Sequence, residues 1–418
     1  MEHSGEKFSQ FVELRGHIID SMILPRVLDE IMDRGAEFTI HRLDVGRHKA
    51  EPSYAMIEVL AASSAALEEL VTELQRLGAI PLGMEDVAVV PAPADGVFPD
   101  GFYSTTNLPL EIRLSERWVP VRFPEMDCGI CVERDGAYCI PLNDVRLGQL
   151  IVVGHKGIKI NPIERSRKAS PVFHFMGSAV SSERPKRQLI RDVADHIKEV
   201  KSRGGKVLVV AGPAVIHVGA REELCRLIES GSVDYLFAGN GLATHDIECA
   251  LFGTSLGVSV DGGASSETGH EHHLRAINRI RAVGGIRQAV EQGVLRQGVM
   301  FACIKSGVDY VLAGSIRDDG PLPDVITDVM AAQAAMRRFI HSGVEMALML
   351  STMLHSIAVG NLLPATVQTI CVDINPGTLT KLVDRGSLQT VGLVMDVGGF
   401  LHELVEVLGV TSASASDR

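Results

Sequence analysis

From residue 12 to residue 92 apolar positions alternate with polar ones or recur at helical spacing, whereas beyond residue 205 they gather into short unbroken runs. The first regime predicts half-buried strands with amphipathic helices, and the second predicts parallel strands buried on both faces. Residues 11–19 read as a strand, and Leu24-Pro25 opens a helix with Val27, Leu28, Ile31 and Met32 on one face, closed by Gly35. Strands over 37–45 and 54–60 follow. Ser64 caps a helix through Leu67, Leu70, Val71 and Leu74 that stops at Gly78, and a strand over 87–90 completes the order βαββαβ. That order predicts a ferredoxin-like α+β unit over residues 1–93.

The turn-rich PAPADGVFPDG follows, and strands at 118–123, 138–141 and 149–154 predict a small β module over 94–165. A helix beginning at 184–187 carries Leu189, Ile190, Val193, Ala194, Ile197 and Val200 on one face. Runs at 206–211, 235–238, 310–313, 369–372 and 391–395, with helical stretches between them, predict an α/β domain over 166–410, built on a doubly wound parallel (Rossmann-like) sheet. Residues 411–418 read as a disordered tail. The longest apolar segment, 344–363, is broken by Glu345, His355 and Asn361, so a buried or subunit-interface helix fits it and a membrane span does not. That helix is the ground for expecting a homodimer or homotetramer.

Composition narrows the chemistry. Forty basic against 52 acidic residues give a net charge of −12, which disfavours nucleic acid and membrane surfaces as partners. MEHSGEKFSQ has no basic n-region followed by an apolar stretch, so the expected compartment is the cytoplasm. Seven cysteines is an odd number, and the Cys128/Cys131 pair has no second pair at zinc-finger spacing; reduced thiols packed as small hydrophobes are expected. His270-Glu-His-His273 invites a metal, but no cluster of acids or cysteines completes a site, and none is expected.

In a doubly wound sheet, ligands bind beyond the C-terminal ends of the strands. Here those ends read Gly212-Pro213-Ala214, Gly239-Asn240-Gly241, Gly314-Ser315-Ile316-Arg317-Asp318, Asp373-Ile374-Asn375 and Asp396-Val397-Gly398. Small residues admit a flat or phosphorylated ligand, and Asn, Ser and Asp supply polar contacts, so five such ends together predict a nucleotide cradle without a GxGxxG turn. Asp373 is a candidate for a ribose hydroxyl or, equally, a helix cap, and Asp396 shares the ambiguity. His217 follows the first cradle turn and reads as a proton carrier or a structural histidine.

These stretches also carry a resemblance. GHIIDSMILPRVLDEIMDRGAEF with DVGRHKAEPSYA resembles the conserved region of bifunctional lysine-ketoglutarate reductase/saccharopine dehydrogenases. AGPAVIHVGA, LFAGNGLATHDIE, FGTSLGV, VLAGSIRDDGPLPDVITDV, TMLHSIAVGNLLP, CVDINPGTLTKLVDRGS and VMDVG resemble archaeal-type, NAD-dependent ornithine cyclodeaminases. The same two regions follow the arginine dihydrolase domain in cyanobacterial fusion enzymes. The resemblance implies NAD as cofactor, L-ornithine as substrate, and L-proline and ammonia as products, with the cofactor regenerated in each turnover. It makes Arg317 a clamp for the substrate carboxylate or the pyrophosphate, Asp318 or Asp127 the group for ammonium and proton transfer, and Asn107 with Thr105 a cover for the pocket. Asp246, inside LFAGNGLATHDIE, joins the cofactor contacts. Two departures stand out: Leu108-Pro109-Leu110 replaces an expected polar turn, and Gly241 an expected Ala. The stretches quoted include no guanidine-modifying domain, and arginine dihydrolysis is not expected. The competing expectations are an NAD-dependent amino- or imino-acid dehydrogenase or reductase and a non-catalytic NAD/amino-acid sensor.

Overall fold

The structure is a computed structural model and describes residues 8–19, 21–48, 51–82, 85–134, 136–161, 186–255, 258–259, 271–318, 320–384 and 390–410. The 165/166 boundary, His270 and the 411–418 tail lie outside the described residues. The chain divides into two compact units, Met1–Ala169 with Pro364–Thr366, and Ser170–Leu363 with Val367–Arg418.

In the first unit, strands β1 (Phe8–Gly16), β2 (Glu37–Asp44), β3 (Ser53–Ala61) and β4 (Ile80–Pro81) form an antiparallel sheet in the order β2-β3-β1-β4. Helices α1 (Ile23–Asp33) and α2 (Ser64–Arg76) bury Val27, Ile31, Leu70 and Leu74 against Val12, Leu14, Ile57 and Val59. This is the expected ferredoxin-like order with two corrections. Ser63, not Ser64, caps α2, its hydroxyl accepting from Ala66 N at 3.2 Å. The closing strand is Ile80–Pro81, because the chain leaves α2 directly beside β1; the 87–90 run is a strand, but of the next sheet. Alternation identifies a strand without saying which edge it joins.

That second sheet comprises β5 (Ala88–Pro91), β6 (Leu110–Leu114), β7 (Arg117–Arg122), β8 (Gly129–Glu133), β9 (Gly136–Ile140), β10 (Leu150–Val153) and β11 (Ile158–Ile160), in the order β11-β6-β7-β9-β8-β10-β5. Its core holds Ile112, Ile130, Val152 and Ile158. Gln75 of α2 donates to the Ile158 carbonyl at 2.9 Å, and Ala365 N donates to the Asn107 carbonyl at 2.8 Å.

In the second unit, helix α3 (Lys186–Ser202) leads into the main sheet, formed by β12 (Lys206–Ala211), β13 (Tyr235–Gly239), β16 (Asp309–Ala313), β17 (Val325–Ile326), β18 (Val344–Leu350), β19 (Gln368–Asp373) and β20 (Thr390–Val394). A short β14–β15 ribbon (Thr254–Ser255, Val258–Ser259) stands apart from it. The main sheet is parallel throughout, in the order β17-β16-β13-β12-β18-β19-β20. With β17 set aside this is the 3-2-1-4-5-6 arrangement of dinucleotide-binding folds. The unbroken apolar runs are explained by burial on both faces. Val207, Val209 and Ala211 pack with α3, α5 (Arg221–Glu229) and α13 (Val397–Leu408), while Leu208 and Val210 pack with α10 (Val329–His341), α11 (Met353–Leu362) and α12 (Pro376–Asp384). Helices α4 (Ala214–His217), α6 (Asn240–Phe252), α7 (His272–Val283), α8 (Ile286–Glu291) and α9 (Val299–Ser306) complete the unit.

The single helix expected over 344–363 is instead strand β18 followed by α11. VEMALML is a seven-residue apolar run, the length and pattern of a strand buried on both faces. Met346, Leu348, Met349 and Leu350 are core residues, so the apolar pattern that suggested a subunit interface is accounted for within one chain. Among the described residues no helix is long and apolar enough to cross a membrane. All seven cysteines are free thiols and six are buried.

Candidate functional site

Beyond β12 and β18, at the centre of the sheet, the chain turns toward opposite faces, and this switch point is where a doubly wound sheet leaves room for a ligand. Three strand ends are drawn tightly together there. A methyl group on Gly212 would collide with the Ser351 carbonyl oxygen, and one on Gly239 would lie 2.9 Å from Cε1 of His355. What these glycines admit in the first place is protein: the chain leaving β18 closes over the ends of β12 and β13. Ser351, at the turn, has φ 48°, a left-handed conformation that costs a non-glycine residue about 1 kcal/mol or more.

The helix starts that directly follow strands of the main sheet fall into two classes. At the periphery, side chains cap them: Asp328 accepts from Ala331 N at 2.8 Å, Asn375 from Gly377 N at 2.9 Å, and Asp396 from Gly399 N at 2.8 Å. At the centre, the starts of α4, α6 and α11, which follow β12, β13 and β18, have no side-chain cap. First-turn N–H groups without a side-chain acceptor are the ordinary seat of a phosphate.

The loop after β16 brings a carboxylate to this centre. Asp318 is half-buried, accepts from Ser315 N at 2.8 Å, and faces the Asn240 amide at 3.4 Å. Asn240 in turn accepts from Leu322 N and Thr244, at 3.1 and 3.2 Å, tying this loop to the start of α6. A cleft of about 200 Å³ lies along Gly314, Ser315, Ile316, Asp318, Pro321, Thr327 and Val329. Ile316 is fully exposed, and no hydrogen bond or ion pair among the described residues holds the Arg317 guanidinium. His355 stands opposite, with Nδ1 3.3 Å from Thr352 Oγ1. Burial lowers its proton affinity below the usual imidazole range, and the Asp318 carboxylate works in the other direction.

Gly212, Pro213, Ala214, Gly239, Asn240, Gly314, Ser315, Ile316, Arg317 and Asp318 therefore all lie at the ends of β12, β13 and β16. Asp373, Asn375 and Asp396 lie at the β19 and β20 ends, engaged in turns and caps; Asp373 accepts from Asn375 N at 2.8 Å and Thr378 Oγ1 at 3.1 Å. Asp246 is on α6 and 0 % exposed. Its carboxylate accepts from Arg221 Nε at 2.7 Å and from the first N–H groups of α9, at 2.8 and 2.9 Å, which makes it a structural clamp. Asn107 is buried and Asp127 exposed, both in the first unit.

His217 bonds Ser255 Oγ through Nδ1 at 2.7 Å, and its ring lies 4.8 Å from that of His245. His245 pairs with the fully buried Glu248 at 2.8 Å, and Thr254 joins Glu248 to His272. Among the described residues no group of such side chains is arranged to hold a metal ion.

The residues missed in the sequence are Ser351, Thr352 and His355. Once 344–363 is read as a single helix, its middle is not the end of a strand. Ending the run at Leu350 would have placed Ser-Thr-Met-Leu-His at a strand end like the others.

Comparisons with known proteins agree with this fold. Residues 191–404 match the family described as arginine dihydrolase ArgZ-like, C-terminal, Rossmann fold; residues 109–190 match the first region of the same C-terminal part; and residues 9–108 match the LOR/SDH bifunctional enzyme conserved region. The ornithine cyclodeaminase of Methanopyrus kandleri is 54% identical over 96% of this chain and 97% of its own length. Among solved structures, apo ArgZ, a cyanobacterial arginine dihydrolase, superposes with a TM-score of 0.83 at 39% identity, covering 98% of this chain and 59% of ArgZ. AgrE, solved as a ternary complex with ornithine and NAD+, gives 0.52 at 41% identity, covering 96% of this chain and 58% of AgrE. The chain belongs to the ornithine cyclodeaminase family, which shares its two-region architecture with the C-terminal part of the ArgZ-like bifunctional enzymes.

Proposed function

We propose that the protein converts L-ornithine to L-proline and ammonium with NAD held at the switch point. The observation that carries this reading is the contrast between the capped helix starts after the outer strands β17, β19 and β20 and the uncapped starts after β12, β13 and β18, which offer backbone N–H groups to a pyrophosphate at the centre of a 3-2-1-4-5-6 sheet. When bound, NAD supplies a two-electron acceptor that is restored before product leaves, so no net NADH accumulates. The strand-end groups fit such a ligand: Pro213, Ala214 and Gly241 present little bulk, and Ser315 and Asn240 present hydroxyl and amide groups.

Arg317 is free to clamp a carboxylate or a pyrophosphate through its planar fork. Asp318 is the carboxylate of this unit suited to a cationic amine, and Asp127 of the first unit is its alternative. Asn107 belongs, in this reading, to the substrate side of the reaction. The proposed setting is the cytoplasm and the proposed state a homodimer or homotetramer, for which residues 344–363 no longer argue; light scattering checks the latter.

Incubation with L-ornithine and catalytic NAD, followed by product identification, tests the reading. Proline and ammonium without stoichiometric NADH are expected. Stoichiometric NADH would identify a dehydrogenase, and saturable binding without product a sensor. Asp318→Asn and Asp127→Asn then separate the two carboxylates: the one that serves the reaction loses turnover, and the other keeps it.

A further inference from the structure

We propose that His355 Nε2 is the base that takes a proton from the substrate α-ammonium and returns it to the departing ammonia, an assignment that rests on the cyclodeaminase reading above. The position argues for it first. His355 lies against the end of a central strand: its Cε1 edge lies above Gly239, while Nδ1 is turned to the Thr352 hydroxyl at 3.3 Å. That bond orients the ring and leaves Nε2 without a hydrogen-bond partner among the described residues.

The proton balance of the reaction argues for it next. L-Ornithine cation becomes zwitterionic proline and ammonium, so atoms and charge balance with no net proton uptake or release. The α-ammonium N–H bond breaks and an Nε2–H bond forms, which frees the nitrogen lone pair. Once the δ-amine has bonded to Cα, the Nε2 proton passes to the α-nitrogen as the Cα–N bond breaks and ammonia leaves. The δ-nitrogen has its own proton traffic: it loses one proton before it attacks and another as ammonia leaves, of which one ends on the ammonia and the other returns to the proline nitrogen. A second acceptor, the Asp318 carboxylate or solvent, carries these, so His355 serves the α-nitrogen alone and must be neutral in the resting enzyme. Burial favours the neutral ring, against the pull of Asp318 toward the imidazolium.

Two charged groups bear on this turn of α11. Asp318, from the loop after β16, favours the imidazolium; Lys381 of α12 lies 3.7 Å from Met353 Sδ in the same turn. Of the flanking strands, β12 and β13 present no charged side chain at these ends.

His355→Gln and His355→Asn in the full chain, assayed beside wild type, test the proposal. Wild-type turnover alone reports on the cyclodeaminase reading: if wild type makes no proline, both fall. With wild type active, the variants should lose about 10²- to 10⁴-fold in kcat while keeping the thermal shift with NAD, which reports an intact fold and cofactor site. The acid limb of the wild-type kcat/KM profile should vanish from the residual activity, and imidazole should restore turnover to His355→Ala. Variants that fold, bind NAD and keep kcat within threefold of wild type, or an unchanged acid limb, would overturn the assignment.

Discussion

Adding one methyl group to Gly212 or to Gly239 has opposite expected consequences, although the two positions look alike in the sequence. At Gly212 the methyl meets the Ser351 carbonyl, a backbone atom fixed by the sheet, so Gly212→Ala should destabilise the protein by about 1–3 kcal/mol. At Gly239 it meets the edge of the His355 ring, which can swing away. Gly239→Ala should therefore cost little stability and at least about tenfold in turnover, since a 1 Å displacement of a reacting group is worth that much. Chemical denaturation and an ornithine assay on both variants separate the cases; equal loss of stability would show that the His355 ring is as immobile as backbone. The Arg221–Asp246 pair makes a third residue-scale test. Both side chains are buried, so Asp246→Ala strands a guanidinium and uncaps α9, with an expected loss of about 3–5 kcal/mol. The double variant with Arg221→Ala should lose less than the sum of the two single ones.

At the scale of elements, the helix starts decide what each strand-end residue does. If Asp396 is a cap, Asp396→Ala should cost about 1 kcal/mol and Asp396→Asn almost nothing, with the thermal shift on adding NAD unchanged in both. A shift lost in Asp396→Asn would instead give the carboxylate to the cofactor. Gly241→Ala, in the first turn of α6, should stabilise by up to about 1 kcal/mol, because its methyl would sit an ordinary 3.7 Å from Pro213. These two cases show what the sequence could carry. The doubly wound sheet was legible because a run such as KVLVVA, six residues long and bounded by glycines, satisfies two apolar layers at once, as a buried parallel strand does. The strand ends followed from the runs. Three things stayed hidden because they depend on partners distant in sequence: the sheet joined by 87–90, the strand within 344–363, and the use of Asp246 by a helix 53 residues later. A carboxylate after an apolar run looks the same whether it meets a ribose or an N–H group of its own helix. Only the position of the strand within the sheet separates the two uses.

For the whole molecule, histidine burial sets the response to acid. His155 in the first unit and His196, His217, His341 and His355 in the second are all held below the usual imidazole range, in each case chiefly by burial. In the unfolded chain these rings take up protons near pH 6.5; in the folded chain they do so only at lower pH. The unfolded state therefore binds more protons as pH falls through about 6.5, so the stability these groups contribute is complete above that value and declines below it. Net charge works the other way, since a chain at −12 repels itself less as acid neutralises it. That repulsion is spread over the surface and screened beyond about 8 Å at physiological salt, whereas the penalty at the buried His196 and the half-buried His355 is screened much less. The histidines should win, and the Tm at fixed ionic strength should hold from pH 7.5 to about 6.5 and fall from there to pH 5.5. A Tm that is flat or rises over that interval would mean that surface repulsion dominates. Adding NAD should lift the curve at every pH, by about 2.7 kcal/mol at a hundred times its Kd, without flattening the decline, because His341, just before the start of β18, lies at the other end of the strands from the switch point and titrates whether or not the cofactor is bound.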